Sequence, residues 1–108
     1  MYEYKARLGR VVDGDTVDLI VDLGFHISAH HRFRVAGIDT PEVRGPEKIA
    51  GKAAKQWVIE YLTGKDLIVE SKKTGKYGRW IGKIRVDGEE QDLSAALVSA
   101  GHAIWKDY

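Results

Sequence analysis

The stretch that most narrows what this chain can fold into is Arg32-Phe33-Arg34-Val35-Ala36-Gly37-Ile38-Asp39-Thr40-Pro41-Glu42. Phe33 and Val35 alternate with Arg32 and Arg34, so a strand here buries the apolar pair and turns both guanidiniums to the other face. Gly37 loosens the backbone, while Pro41 removes a donor and biases Thr40 away from helix, so residues 39–42 are expected to turn sharply. Asp39, Glu42 and an arginine are then expected close together at a strand end, on a loop held by a rigid sheet, where sites are commonly built.

A chain of 108 residues has room for one core, and residues 1–108 read as a single domain. Its 44% hydrophobic and 31% charged residues suit a folded soluble protein, and no apolar run approaches the length of a membrane span. Cysteine is absent, which removes disulfides and thiolate metal ligation. Residues 1–7 carry no apolar signal segment, which favours the cytoplasm, although a processed secreted form would begin in the same way. The net charge of +1 conceals a local bias, because Lys72, Lys73, Lys76 and Arg79 crowd one short stretch able to attract a polyanion.

Taken in order, residues 4–21 read as two short strands or one bulged strand, broken near Asp13-Gly14-Asp15. Asp22-Leu23-Gly24 is a turn that returns the chain towards Val35, which would set Asp15 and Asp39 on neighbouring strands. Pro46-Glu47 opens a helix over residues 46–63 with Gly64 as its stop; Ala50, Ala54, Trp57, Val58, Tyr61 and Leu62 form its apolar stripe, and Gly51 permits close approach. Residues 67–70 and 80–86 read as strands, the second with Trp80, Gly82, Ile84 and Val86 on one side, and Asp87-Gly88 is a hairpin signal. A short helix over residues 93–100 has Asp92 as N-cap and Gly101 past its end. The expected architecture is α+β and mainly β: a closed five-stranded antiparallel barrel of the oligonucleotide-binding type, with one long and one short helix packed on it.

Three short segments carry chemistry, and each also has a plain reading. Asp13-Gly14-Asp15-Thr16 is either a bulge with solvated acids or part of an oxygen shell for a hard cation. Asp39-Thr40-Pro41-Glu42 is either a shaped turn or a second source of such oxygens. Lys76-Tyr77-Gly78-Arg79 is either a solvated loop or a phosphate-binding element, since a guanidinium donates two parallel hydrogen bonds to adjacent oxygens. Trp57, Trp80 and Trp105 read as core or edge packing, and the histidines, including His30, His31 and His102, as non-catalytic.

These segments, in this order and with Arg32-Phe33-Arg34 leading into the second, resemble the staphylococcal nuclease family. The similarity extends to Gly51-Lys52-Ala53-Ala54 and to Ala96-Leu97-Val98 with Gly101, and so covers nearly the whole chain. The resemblance implies a calcium-dependent nuclease, with magnesium the lesser alternative, that hydrolyses DNA and RNA with little sequence preference. A monomer acting on single strands is the expected form. It also implies roles: Asp15, Asp39 and the Thr40 carbonyl on the metal; Glu42 as general base; Arg34 and Arg79 on the phosphate; Lys76 and Tyr77 on the nucleotide's terminal phosphate; Asp13 beside the metal site. The loop between Glu42 and Pro46 is short, and Trp105 and Tyr108 are candidate base platforms whose plainer role is to seal a core edge. The rival reading is a non-catalytic module of the same barrel that binds nucleic acid or protein.

Overall fold

An odd number of strands cannot close into a ring with every neighbour antiparallel, and this barrel resolves the conflict at one seam. In a computed structural model describing residues 2–72 and 80–106, strands β1 (Glu3–Asp13), β2 (Thr16–Asp22), β3 (Ser28–Val35), β5 (Leu67–Lys72) and β6 (Trp80–Val86) close in the order β1-β2-β3-β6-β5. The β3–β6 pair is parallel, through Phe33↔Trp80, Arg34↔Ile81 and Val35↔Gly82, and the other seams are antiparallel. The expectation of an antiparallel sheet throughout is corrected there, for that reason of parity.

The segment breaks where expected, near Asp13-Gly14-Asp15, into the two strands of one hairpin. Asp13 pairs with Thr16 and leaves Gly14-Asp15 as its turn, with register shifts between Leu8 and Arg10 and between Val11 and Asp13. Asp15 therefore lies in a turn, whereas Asp39 lies on β4 (Ile38–Asp39), which pairs with β7 (Ile104–Trp105) outside the barrel. The two aspartates are not on neighbouring strands. Sequence periodicity did not reveal this small ribbon, because β4 and β7 are each 2 residues long.

A 3-10 turn at Gly45–Glu47 leads into α1 (Lys48–Leu62), and Gly64 follows in the left-handed region at φ 74°. The buried face is Gly51, Ala54, Val58 and Leu62, while Ala50 is exposed and Trp57 and Tyr61 are half-buried. The stripe is rotated from the expected one because α1 seats Gly51 directly on the backbone of Glu42 and Val43. A Cβ at Gly51 would overlap the Glu42 carbonyl and stand 2.7 Å from the Val43 nitrogen.

The second helix, α2 (Leu93–Ser99), starts as expected, with the Asp92 side chain accepting from the Ala95 N–H at 2.8 Å. It ends where Gly101, at φ 80°, lets His102 N donate to Leu97 O and Gly101 N to Val98 O. Asp87-Gly88 does turn the chain back, and the return strand is a single antiparallel bridge, Arg85↔Asp92, before α2 begins. The barrel interior is filled by residues such as Leu19, Phe33, Val69 and Ile84, capped by Val58 and Leu62 from α1 and by Leu93 and Leu97 from α2. On β6 only Gly82, Ile84 and Val86 of the expected side are buried. The Phe33 ring occupies the space over Gly82, and Trp80 remains 41% exposed beside the His31 ring. Among the described residues no helix is long and apolar enough to cross a membrane.

Two outcomes follow from the α1 contacts. Gly51→Ala should destabilise the fold by about 1–3 kcal/mol in urea unfolding, because overpacking against backbone outweighs the better helix propensity of alanine. Tyr61 donates to Glu89 Oε2 at 2.8 Å, and burial, then that bond, push its phenol up to about 12. A raised folded value means stability that is whole below the unfolded tyrosine value of roughly 10 and is lost as pH rises towards the folded one. Alkaline unfolding of wild type and Tyr61→Phe should therefore show a component across that window in the wild type alone.

Candidate active site

Arg34 stands near the end of β3, paired with Thr16 on one neighbour and with Ile81 on the other, in the middle of the parallel seam. Its Nη1 lies 2.8 Å from Asp15 Oδ2 and donates to the Asp15 carbonyl at 3.2 Å; Nη2 donates to the Ile38 carbonyl at 3.2 Å and to Asp39 Oδ1 at 3.4 Å. The side chains of Arg34 and Asp15 are each only 13% exposed. Charge-assisted contacts of this kind, in partial burial, are stronger than their surface counterparts.

The turn and the loop are tied to each other as well as to the guanidinium. Asp15 Oδ2 accepts from the Thr40 N–H at 3.2 Å, Asp15 Oδ1 accepts from the Thr16 hydroxyl at 3.2 Å, and the Asp15 carbonyl accepts from Val35 N at 2.8 Å. Thr40 is buried against Gly14, where an added Cβ would come within 3.1 Å of its side chain. Its Oγ1 is buried without a hydrogen-bond partner among the described residues. Lys106 Nζ lies 3.7 Å from Asp39 Oδ2, a neighbour that sequence reasoning missed. The signal would have been the β4–β7 pairing, which Lys106 N extends by donating to the Gly37 carbonyl at 2.8 Å.

Glu42 does not join this cluster. Its side chain is exposed and makes no hydrogen bond or ion pair with a described residue; it lines a cleft of about 840 Å³ with Asp13, Arg10, Arg44 and Lys55. The expected trio of Asp39, Glu42 and an arginine is thus split. Asp39 meets Arg34, and Pro41 carries the chain on until the Glu42 backbone rests on Gly51. Asp13 and Asp15 part in the same way: Asp15 turns to Arg34 and Asp13 lines the Glu42 cleft. Among the described residues no three His, Asp or Glu side chains are grouped to hold a metal ion.

The two arginines of β3 also diverge. Arg32 is exposed and grips Asp18 on β2 with Nε to Oδ1 at 2.8 Å and Nη2 to Oδ2 at 3.2 Å, and these bonds hold the Asp18 carboxyl below its ordinary value. It braces the sheet, and of the two only Arg34 meets Asp15 and Asp39. His102 packs against Trp57 and His31 against Phe33 and Trp80, as ring contacts. Trp105 is 61% exposed on β7. Lys76, Tyr77, Arg79 and Tyr108 lie outside the described residues.

Residues 32–108 match the family model described as staphylococcal nuclease homologue. The chain is 31% identical to protein ParB of Escherichia coli, over 94% of its own length and 56% of that relative's. It is 28% identical to a micrococcal nuclease of Shigella flexneri, over 94% of itself and 58% of that protein. Over 57% of the chain it is 37% identical to a probable staphylococcal-like nuclease, CAN1, of Oryza sativa subsp. japonica, of which the match covers 18%. The chain therefore spans just over half the length of the first two. The closed five-stranded barrel with two helices and the match across residues 32–108 place this chain in the staphylococcal nuclease homologue family.

Proposed function

We propose that this chain is a metal-dependent phosphodiesterase that hydrolyses single-stranded DNA and RNA with little sequence preference, as a monomer. The observation that carries this reading is the Arg34 bridge: one guanidinium between two carboxylates, from a turn and a loop that share a further hydrogen bond. A binding module needs cations for phosphate and has no use for a pair of acids held at the same point.

The donor set fits a hard divalent cation. Asp15 and Asp39 offer carboxylate oxygens already aimed at one cationic group, the Thr40 backbone offers a carbonyl, and the partnerless Thr40 hydroxyl leaves an oxygen free for a bound water. Asp15, Asp39 and the Thr40 carbonyl would hold the ion, calcium in preference to magnesium because the set is irregular, drawn from a turn and a loop rather than arranged as an octahedron. When bound, such an ion supplies Lewis-acid polarisation and counter-charge for the phosphoryl group.

Phosphodiester hydrolysis needs a water placed in line and relief of the negative charge gathering on the phosphoryl oxygens. In this reading Arg34 answers the second need. Its 3.4 Å contact with Asp39 is longer than its 2.8 Å contact with Asp15, and a phosphate oxygen would take the Asp39 place while Asp15 keeps the guanidinium oriented. Arg79 is proposed as the second guanidinium, with Lys76 and Tyr77 on the terminal phosphate and Asp13 as an acid flanking the site. Glu42, exposed and without a partner among the described residues, is proposed to take the proton of the attacking water. The Gly51 contact fixes its backbone, so reach depends on the side chain alone.

Hydrolysis of a labelled single-stranded oligonucleotide, run with calcium, with magnesium and with chelator, tests this. Calcium should support cleavage and chelation abolish it; Glu42→Gln should lower kcat by roughly 10²–10⁴-fold, and Asp39→Ala should raise the calcium needed. Unchanged turnover in both variants would refute the assignments, and binding of the oligonucleotide without cleavage would favour the non-catalytic module.

A further inference from the structure

The Glu42 cleft has a second wall that the chemistry above does not use. Lys48, Lys52 and Lys55 recur at i, i+4 and i+7 along α1 and so share one face. With Arg44 they line a second depression of about 480 Å³, and Arg44, Val43 and Lys55 belong to both depressions, so the two are continuous. Arg10 extends the row across the first cleft, at the 4.0 Å limit of an ion pair with Asp18. Arg44, Lys48, Lys52 and Lys55 make no ion pair with a described residue.

Like charges at this spacing repel along a helix, and a face built this way without interleaved acids disfavours itself until an anion arrives. The three lysines climb about 6 Å and then about 4.5 Å along the helix axis, a ladder that can follow successive phosphates of an extended strand. The ladder also begins where the reacting group would end: Gly51, between Lys48 and Lys52, is the residue seated on the Glu42 backbone. A strand leaving Glu42 meets these cations next.

We propose that the Arg44-Lys48-Lys52-Lys55 face of α1, continued by Arg10, is a phosphate-backbone track that holds a nucleic-acid strand beyond the reacting phosphodiester. It makes the chain prefer long substrates over short ones without reading bases. The track rests on the reading that nucleic acid is the substrate, but not on hydrolysis.

The test measures binding of labelled oligothymidylates, one long and one of two nucleotides, to the protein in chelator by fluorescence anisotropy across a salt series. For single strands the slope of log affinity against log salt is about −0.7 per neutralised phosphate, so Lys48→Gln/Lys52→Gln/Lys55→Gln should make the long oligomer's slope shallower by about 2. The dinucleotide's affinity should stay within about twofold, and arginine at the same three positions should keep the wild-type slope. An unchanged slope in the glutamine variant, equal losses for long and short oligomers, or binding to phosphatidylserine vesicles in place of the oligonucleotide would overturn the track. In a parallel assay with calcium, a wild type that binds but does not cleave would sink the nuclease reading and leave the slope result standing.

Discussion

The fold's positioning of its acids depends on a single guanidinium. Arg34 satisfies two carbonyls and two carboxylates, those of Asp15 in the β1–β2 turn and those of Ile38 and Asp39 on the short β4. Burying such charges is costly, and what makes the arrangement tolerable is that the arginine and Asp15 neutralise each other at 2.8 Å while the Thr40 N–H takes up a remaining lone pair. Removing one partner of a buried pair typically costs about 3–5 kcal/mol, so the cluster is a structural tie as much as a chemical one.

Two glycines bring the rest within reach. Gly14 gives Thr40 room to lie against the turn, and Gly51 gives the Glu42 backbone room to lie against α1. Between these two contacts the chain covers the distance from the Arg34 cluster to the neighbouring cleft in three residues. The aspartates and the glutamate are thereby held on two sides of one short segment, and the turn at Gly14-Asp15 repeats the division by sending Asp13 one way and Asp15 the other.

Much of this was legible from residue order because it is local. Alternation at Phe33 and Val35 gave the β3 faces, Asp92 announced its cap, and a glycine inside α1 announced a close contact. What escaped the reading is set by pairings between distant segments. The β4–β7 ribbon, and with it Lys106 beside Asp39, has no periodicity to detect in two-residue strands. The separation of Glu42 from Arg34 follows from how deeply α1 seats on the loop, which no local pattern encodes. Trp80, at the start of β6, stays 41% exposed beside His31 while Phe33 fills the space over Gly82, a difference along one face that alternation does not rank. The parallel seam needed only the count of strands and closure.

That seam joins β3 and β6 through three residue pairs, with Arg34 the middle one. Like the β1–β5 seam, whose partners lie still farther apart in sequence, it is a non-local pairing whose loop-closure entropy slows its formation. The residue at the middle of the barrel's one parallel seam and the arginine that gathers the acids are the same. Opening of the wall at that seam would therefore also part the two carboxylates from their guanidinium.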